Sequence, residues 1–167
     1  MPPLVNKTFI SAQLLNFLLA GLYGNSSRLN TFNEAKKTAL KLNRPLVNYG
    51  CGETEPFISQ SDLNLDIEPR DAPNFELIPL GGRIPLPDNS GVVYASHVLE
   101  HVDNLDQVLK DMMRVGPTFI VLPPWWSLGN WINPKHRRVI IGDYEIENPS
   151  EIALPLFIGA NLINLSI

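Results

Sequence analysis

Along this chain, apolar residues gather into short uninterrupted runs separated by clusters of Gly, Pro, Asn and Asp. Five such runs, at 46–50, 63–67, 75–80, 91–96 and 118–122, are each too short for a helix, and most are bounded by turn formers, which predicts strands. GVVYAS and TFIVL are apolar almost throughout instead of alternating, the pattern of strands covered on both faces. Between the last two runs, Leu105, Val108, Leu109 and Met112 recur at i, i+3, i+4 and i+7; Asp103 can cap a helix there and Gly116 can end it. Strand, helix and strand in succession imply a parallel crossover. The predicted fold class is α/β: a three-layer, doubly wound, mostly parallel sheet of Rossmann-like form.

Ahead of the first strand the spacing changes to that of helices. Leu14, Leu15, Leu18, Leu19 and Leu22 fall at helical intervals within Phe9–Leu22, which predicts an amphipathic helix lying on the fold. The turn formers from Gly24 to Asn30 predict a break, and Thr31 with Glu34 makes a capping box that opens a second helix through about Leu42, stopped by Pro45. Between the first two strands, residues 51–62 contain Pro56 and leave room for little more than one helical turn, so the first crossover is expected to be short. Pro85, Pro87, Pro123 and Pro124, just after strands, suggest rigid loops at one edge of the sheet, the ligand side. The organisation expected is one domain, with N-terminal helices in 1–44, a cofactor-binding core in 45–124, and a substrate-side loop with terminal strands in 125–167. That last segment is expected to be a trimmed C-terminus, with little room for a full terminal hairpin and its helix.

Composition narrows the partners. A length of 167 residues suits one domain with one core. The 13 basic and 17 acidic residues give a formal charge of -4, without the basic excess that draws a chain onto nucleic acid. The one dense basic cluster, Lys135, His136, Arg137 and Arg138, reads as a solvated turn or as a contact for an anionic substrate. A single cysteine, Cys51, excludes an internal disulfide and fits a reducing compartment; its neighbours suggest packing beside a glycine turn, not reactivity. Phe9–Leu22 contains Gln13 and Asn16 and falls short of the roughly 20 apolar residues of a membrane span. No basic cluster precedes it and no clear small-residue cleavage site is evident, so the expectation is a cytoplasmic protein without a signal peptide or transmembrane segment. A homodimer is compatible with the sequence.

The segment PLVNYGCGETEPFISQSDLNLD, residues 45–66, carries the clearest chemistry: an apolar run, a Gly-x-Gly turn and a second run ending in a carboxylate. Gly50 and Gly52 allow a sharp turn and close approach of a ligand, and Asp66 can accept hydrogen bonds from ribose hydroxyls. A dinucleotide site would want a third glycine where Glu55 stands, which disfavours NAD. A rival motif lies further on, because His97, Val98, Leu99, Glu100 and His101 spell H-x-x-E-H, the zinc motif of inverted metallopeptidases. It needs a helix, and the preceding GVVYAS is strand-like, so no metal site is expected.

From Ile84 to Pro124 the chain reads IPLPDNSGVVYASHVLEHVDNLDQVLKDMMRVGPTFIVLPP. Together with the glycine turn and LNLDI at the second strand, this resembles class I S-adenosylmethionine-dependent methyltransferases, in the subgroup with LEH after strand four. The resemblance spans roughly residues 45–124. It implies S-adenosyl-L-methionine as cofactor, with Gly50, Cys51 and Gly52 along its methionine end, Asp66 on the ribose hydroxyls and Ile67 against the adenine. It further implies Leu80 and Gly81 at the adenine edge, and Ser96 and His97 facing the transferred methyl. His97 stands at the carboxyl end of a central strand, and with an ordinary pKa of about 6.5 it is the candidate catalytic base, or else a lining residue. Glu100 and His101 read as structural.

The pattern also departs from that family. Thr54 stands where many members have a third glycine, Leu80 where an acid often meets the adenine amine, and Gly91 where an aspartate usually begins strand four. These departures keep a non-catalytic methyltransferase-like binding module as the alternative. The family methylates many acceptor classes; mild acidity favours a small molecule, and the wording of strands two and four leans toward a sugar or lipid of the cell surface. Trp125, Trp126, Trp131 and His136, in PPWWSLGNWINPKHRR, are the candidate substrate-side residues, equally readable as a packed lid or a docking patch.

Overall fold

In the computed structural model the described residues are 7–79, 81–141, 144–147 and 149. The chain divides into two compact units, Ser26–Leu122 and a second built from Met1–Asn25 and Pro123–Ile167.

The unit Ser26–Leu122 is built on a five-stranded sheet. Its strands are β1 (Leu46–Tyr49), β2 (Leu63–Asp66), β3 (Phe75–Leu77), β4 (Val92–Ser96) and β5 (Thr118–Val121), and every pairing is parallel, in the order β3-β2-β1-β4-β5. The five apolar runs of the sequence thus become the five strands. The central strands β1 and β4 are buried on both sides because helices cover both faces there, whereas β3 at the edge is largely exposed. Val47, Tyr49, Leu65, Val93 and Ala95 join Val108, Met112 and Val115 of helix α2 (Leu105–Val115) in one core cluster. Leu46, Val92, Tyr94 and Val121 join Phe32, Ala35 and Ala39 of helix α1 (Lys7–Leu42) and Phe57 in the other. Neighbours along a strand point to opposite faces, which is why Leu46 and Val47, or Val93 and Tyr94, fall into different clusters. The rings of Phe32 and Tyr94 meet edge to face with centroids 5.1 Å apart, and Phe32 meets Phe57 in the same manner. Each fully buried aliphatic side chain in these clusters contributes about 1.5 to 3 kcal/mol.

Two connections are unusually short. Residues 50–62 pass from β1 to β2 through turns without a helix, as the position of Pro56 predicts. Residues 67–74 return from β2 to a parallel β3 with no helix at all, and Asn64 anchors this return: its backbone N–H donates to Asn74 O at 3.0 Å and its side-chain amide donates to Pro73 O at 2.7 Å. At α2, Asn104 and not Asp103 is the cap. Its Oδ1 accepts the Gln107 N–H at 3.1 Å, because the helix begins one residue later than the apolar spacing alone suggests. Gly116 ends the helix, its N–H donating to Met112 O at 3.3 Å.

The expected break in the N-terminal region does not form. Residues Lys7–Leu42 make one helix, so Thr31 lies inside it instead of capping a second. Gly, Asn and Ser cost a helix interior up to about 1 kcal/mol each, whereas only a proline would force a stop, and none occurs between Lys7 and Pro45. Of the leucines expected to face the fold, Leu18, Leu19 and Leu22 are exposed. No helix of the described residues is long and apolar enough to cross a membrane.

In the second unit, helix α3 (Leu128–Ile132) precedes an antiparallel pair, β6 (Arg138–Ile141) and β7 (Tyr144–Glu147). These two strands form a sheet of their own, not part of the five-stranded parallel one.

Candidate functional site

Because all five strands run the same way, their carboxyl ends gather the sequence motifs along one edge of the sheet. The turn Gly50–Gly52 follows β1, Asp66 ends β2 with Ile67 behind it, Gly81 follows β3, and Ser96 with His97 ends β4. Leu80 lies outside the described residues.

Gly50 and Gly52 adopt φ of 67° and 54°, the left-handed region that glycine enters without a steric cost. They face different surroundings. A β-carbon at Gly50 would come 2.3 Å from Val98 Cγ2, whereas one at Gly52 would meet nothing within 4 Å. The turn is tied to β2 on both sides of Cys51: the Cys51 N–H donates to Leu65 O at 2.9 Å, and the Gly52 N–H donates to Asp66 Oδ2 at 2.9 Å. The Cys51 thiol is buried, and burial, reinforced by the Asp66 charge, pushes it up to about 11, so it stays protonated and packs as a small apolar group.

Asp66 is 7% exposed and its carboxylate organises the whole corner. Besides Gly52, its Oδ1 accepts the Glu68 N–H at 3.2 Å, and Arg70 Nε lies 3.3 Å from Oδ2. Arg70 also bonds Glu68 Oε2 at 2.8 Å and lies 4.0 Å from Glu53 Oε1. Sequence motifs do not single out Arg70. Its only signal is a basic residue four places after Asp66 with Pro69 bending the chain between them. Ile67, the residue just past the end of β2, is half exposed.

At the end of β4, His97 takes φ of 57°, a left-handed conformation that costs a non-glycine residue about 1–2 kcal/mol, while its N–H donates to Val121 O at 2.9 Å. Residues 98–101 form a turn, so His97 and His101 do not share the helical face that an H-x-x-E-H peptidase site requires. Glu100 in that turn is buried, and the loss of water pushes its carboxyl up to about 7. Its Oε1 lies 3.9 Å from His101 Nε2, and its Oε2 has no hydrogen-bond partner among the described residues.

The tryptophan-rich segment belongs to the second unit. Trp125 and Trp126 are exposed there, and Trp131 is partly buried with Nε1 donating to Trp125 O. His136 is buried, with Nδ1 3.0 Å from Asn130 O and 2.8 Å from Asn130 Oδ1; two oxygen acceptors place the proton on Nδ1. The basic cluster is not one uniform solvated turn, since Lys135 and Arg137 are exposed while His136 and Arg138 are buried.

Compared with family models, curated proteins and solved structures, the chain has no match in any of the three.

Proposed function

We propose that this protein transfers a methyl group from S-adenosylmethionine to a small-molecule acceptor, a sugar or lipid of the cell surface being the favoured class. The observation that carries the reading is the bond from the Gly52 N–H to Asp66 Oδ2, at 2.9 Å, which joins the glycine turn after β1 to the acidic end of β2. The open space over Gly52 supports it further, since a cofactor passing close to the backbone needs a position without a β-carbon and without a neighbour. Asp66 would hold the ribose, Gly50, Cys51 and Gly52 would line the methionine end, and Gly81 and Ile67 would border the adenine. The cofactor would supply an electrophilic methyl on a sulfonium. The protein's part is alignment, which can provide up to about 7–11 kcal/mol of a barrier, and His97 can accept the acceptor's proton where the nucleophile is a hydroxyl.

Titration calorimetry with S-adenosylmethionine tests this. Micromolar binding that falls tenfold to a thousandfold or more in Asp66→Ala is the expected result, since one or two charge-assisted hydrogen bonds are worth about 1.5–3 kcal/mol each. No binding at millimolar cofactor rejects the enzyme. In that event the second reading stands, a non-catalytic module of the same fold, favoured by the fact that Asp66 is already engaged by Gly52, Glu68 and Arg70 of its own chain.

A further inference from the structure

The carboxylate of Asp66 has about four acceptor positions, two on each oxygen. Oδ2 receives the Gly52 N–H at 2.9 Å, and its remaining approach is covered by Arg70 Nε at 3.3 Å. Oδ1 receives the Glu68 N–H at 3.2 Å and keeps one position. A vicinal diol gripped by both oxygens of one carboxylate needs a position on each. The corner therefore offers one of the two without rearrangement.

We infer that Arg70 is the specificity-determining residue of this corner: it covers the second diol position of Asp66, so that one ribose hydroxyl binds in place and the other only when Arg70 swings aside. The inference rests on the cofactor reading above. Its physical basis is the poor fit of Arg70 where it lies. Nε is buried, and at 3.3 Å from Asp66 Oδ2 it is attracted by the carboxylate charge without the alignment of a good hydrogen bond, so the donor is poorly satisfied in place and would regain water on leaving. The rest of the guanidinium is held by Glu68 and Glu53, whose side chains are 65% and 62% exposed. Such exposed carboxylates hold a guanidinium weakly and can follow it outward, so the swing costs chiefly the pairing with Asp66, which is why the hydroxyl that takes its place gains little. The Gly52 and Glu68 N–H groups, by contrast, belong to the backbone and stay, which keeps the carboxylate oriented when Arg70 leaves.

The consequence is a particular pattern of selectivity. With Arg70 in place, a ligand lacking the hydroxyl destined for Oδ2 loses little, because that contact comes only with a displacement. With Arg70 removed, the full diol is received without displacement and the missing hydroxyl is felt.

The test is calorimetry of the full chain with S-adenosylhomocysteine and its 2′-deoxy and 3′-deoxy forms, on the wild type, Arg70→Ala and Asp66→Ala, with thermal unfolding as a check on folding. In the wild type, one of the two deoxy ligands is expected to bind within about twofold of the parent, as a contact offset by a displacement should. In Arg70→Ala the parent is expected to bind about five- to tenfold tighter while that deoxy ligand is unchanged, the size of one modest polar contact regained. Weaker binding of all three ligands in Arg70→Ala, or an equal gain for all three, overturns the inference. Arg70→Gln, which keeps part of the aliphatic stem, carries the same readout should the alanine variant fail to fold. Binding that depends on Asp66 but ignores Arg70 overturns this inference alone, whereas no binding by any folded protein overturns the cofactor reading and this inference with it.

Discussion

Val98 closes over Gly50: a β-carbon added at Gly50 would lie 2.3 Å from Val98 Cγ2 and 3.0 Å from Cγ1. The turn after β1 is thereby locked to the turn after β4 by a missing side chain on one and a branched side chain on the other.

Gly50→Ala therefore meets two penalties, a left-handed backbone costing about 1–2 kcal/mol and overpacking costing about 1–3 kcal/mol. Chemical denaturation should show a loss of about 3 kcal/mol. In the double variant with Val98→Ala the packing part should be relieved, leaving the pair at least about 1 kcal/mol more stable than the sum of the single changes. Strict additivity would mean that Val98 does not confine the turn.

His97 separates backbone cost from side-chain role. At its φ of 57° the β-carbon of alanine is as unwelcome as that of histidine, but glycine is free of it. His97→Gly should be more stable than His97→Ala by about 1 kcal/mol. If His97 is the base, both should lose turnover while keeping cofactor affinity nearly intact. A turnover equal to wild type in both rejects the catalytic role, and equal stability rejects the strain.

Glu100 should make stability depend on pH. Its carboxyl titrates near 7 when folded against an ordinary value of 4.5, so between these values the folded protein holds a proton that the unfolded chain releases. The stability from this group is fully present below the ordinary value and is lost as pH rises through about 7, an effect of about 3 kcal/mol. Urea unfolding at pH 5 and pH 8 should show this loss in the wild type and not in Glu100→Gln. The same slope in both proteins would assign it to another group.

Arg114 staples the loop before β4 to α2. Its Nη1 donates to Leu86 O at 2.7 Å and to Asp88 Oδ1 at 2.9 Å, Nη2 donates to Ile84 O at 3.0 Å, and Nε pairs with Asp111 Oδ1 at 2.7 Å. Asp111 in turn accepts the Ile84 N–H at 2.6 Å. Arg114→Ala leaves two carbonyls and a partly buried carboxylate without this donor and should cost about 2–4 kcal/mol by thermal or chemical unfolding. A loss below about 1 kcal/mol would show that water replaces the staple.

The strands were legible because burial on both faces writes itself as unbroken apolar runs, as in Val92–Ser96, and turn formers mark most of their ends. The helix over Lys7–Leu42 was not, since Gly24, Asn25, Ser26 and Ser27 favour a break locally while the helix continues through them. At α2, Asp103 and Asn104 are both good caps, and only the geometry of the first turn selects the second. The candidate site divides in the same manner. Gly50, Gly52 and Asp66 announce themselves by residue type, because few other residues suit a left-handed turn or a carboxylate at a strand end. The conformation of His97, the burial of Glu100 and the approach of Arg70 to Asp66 depend on how distant segments meet, and no local spacing encodes them.

The place of β1 in the sheet has a consequence for how the chain comes together. β1 is paired on both sides by strands made after it, β2 soon and β4 only once residue 96 has been synthesised. Until then a fully buried strand keeps one edge open, while the second half of α1, already made, can shield one of its faces. Closing that edge joins segments far apart in sequence, the kind of pairing that sets millisecond-to-second folding. During synthesis the interval between β2 and β4 is thus the window in which this chain most needs protection from pairing with a neighbour.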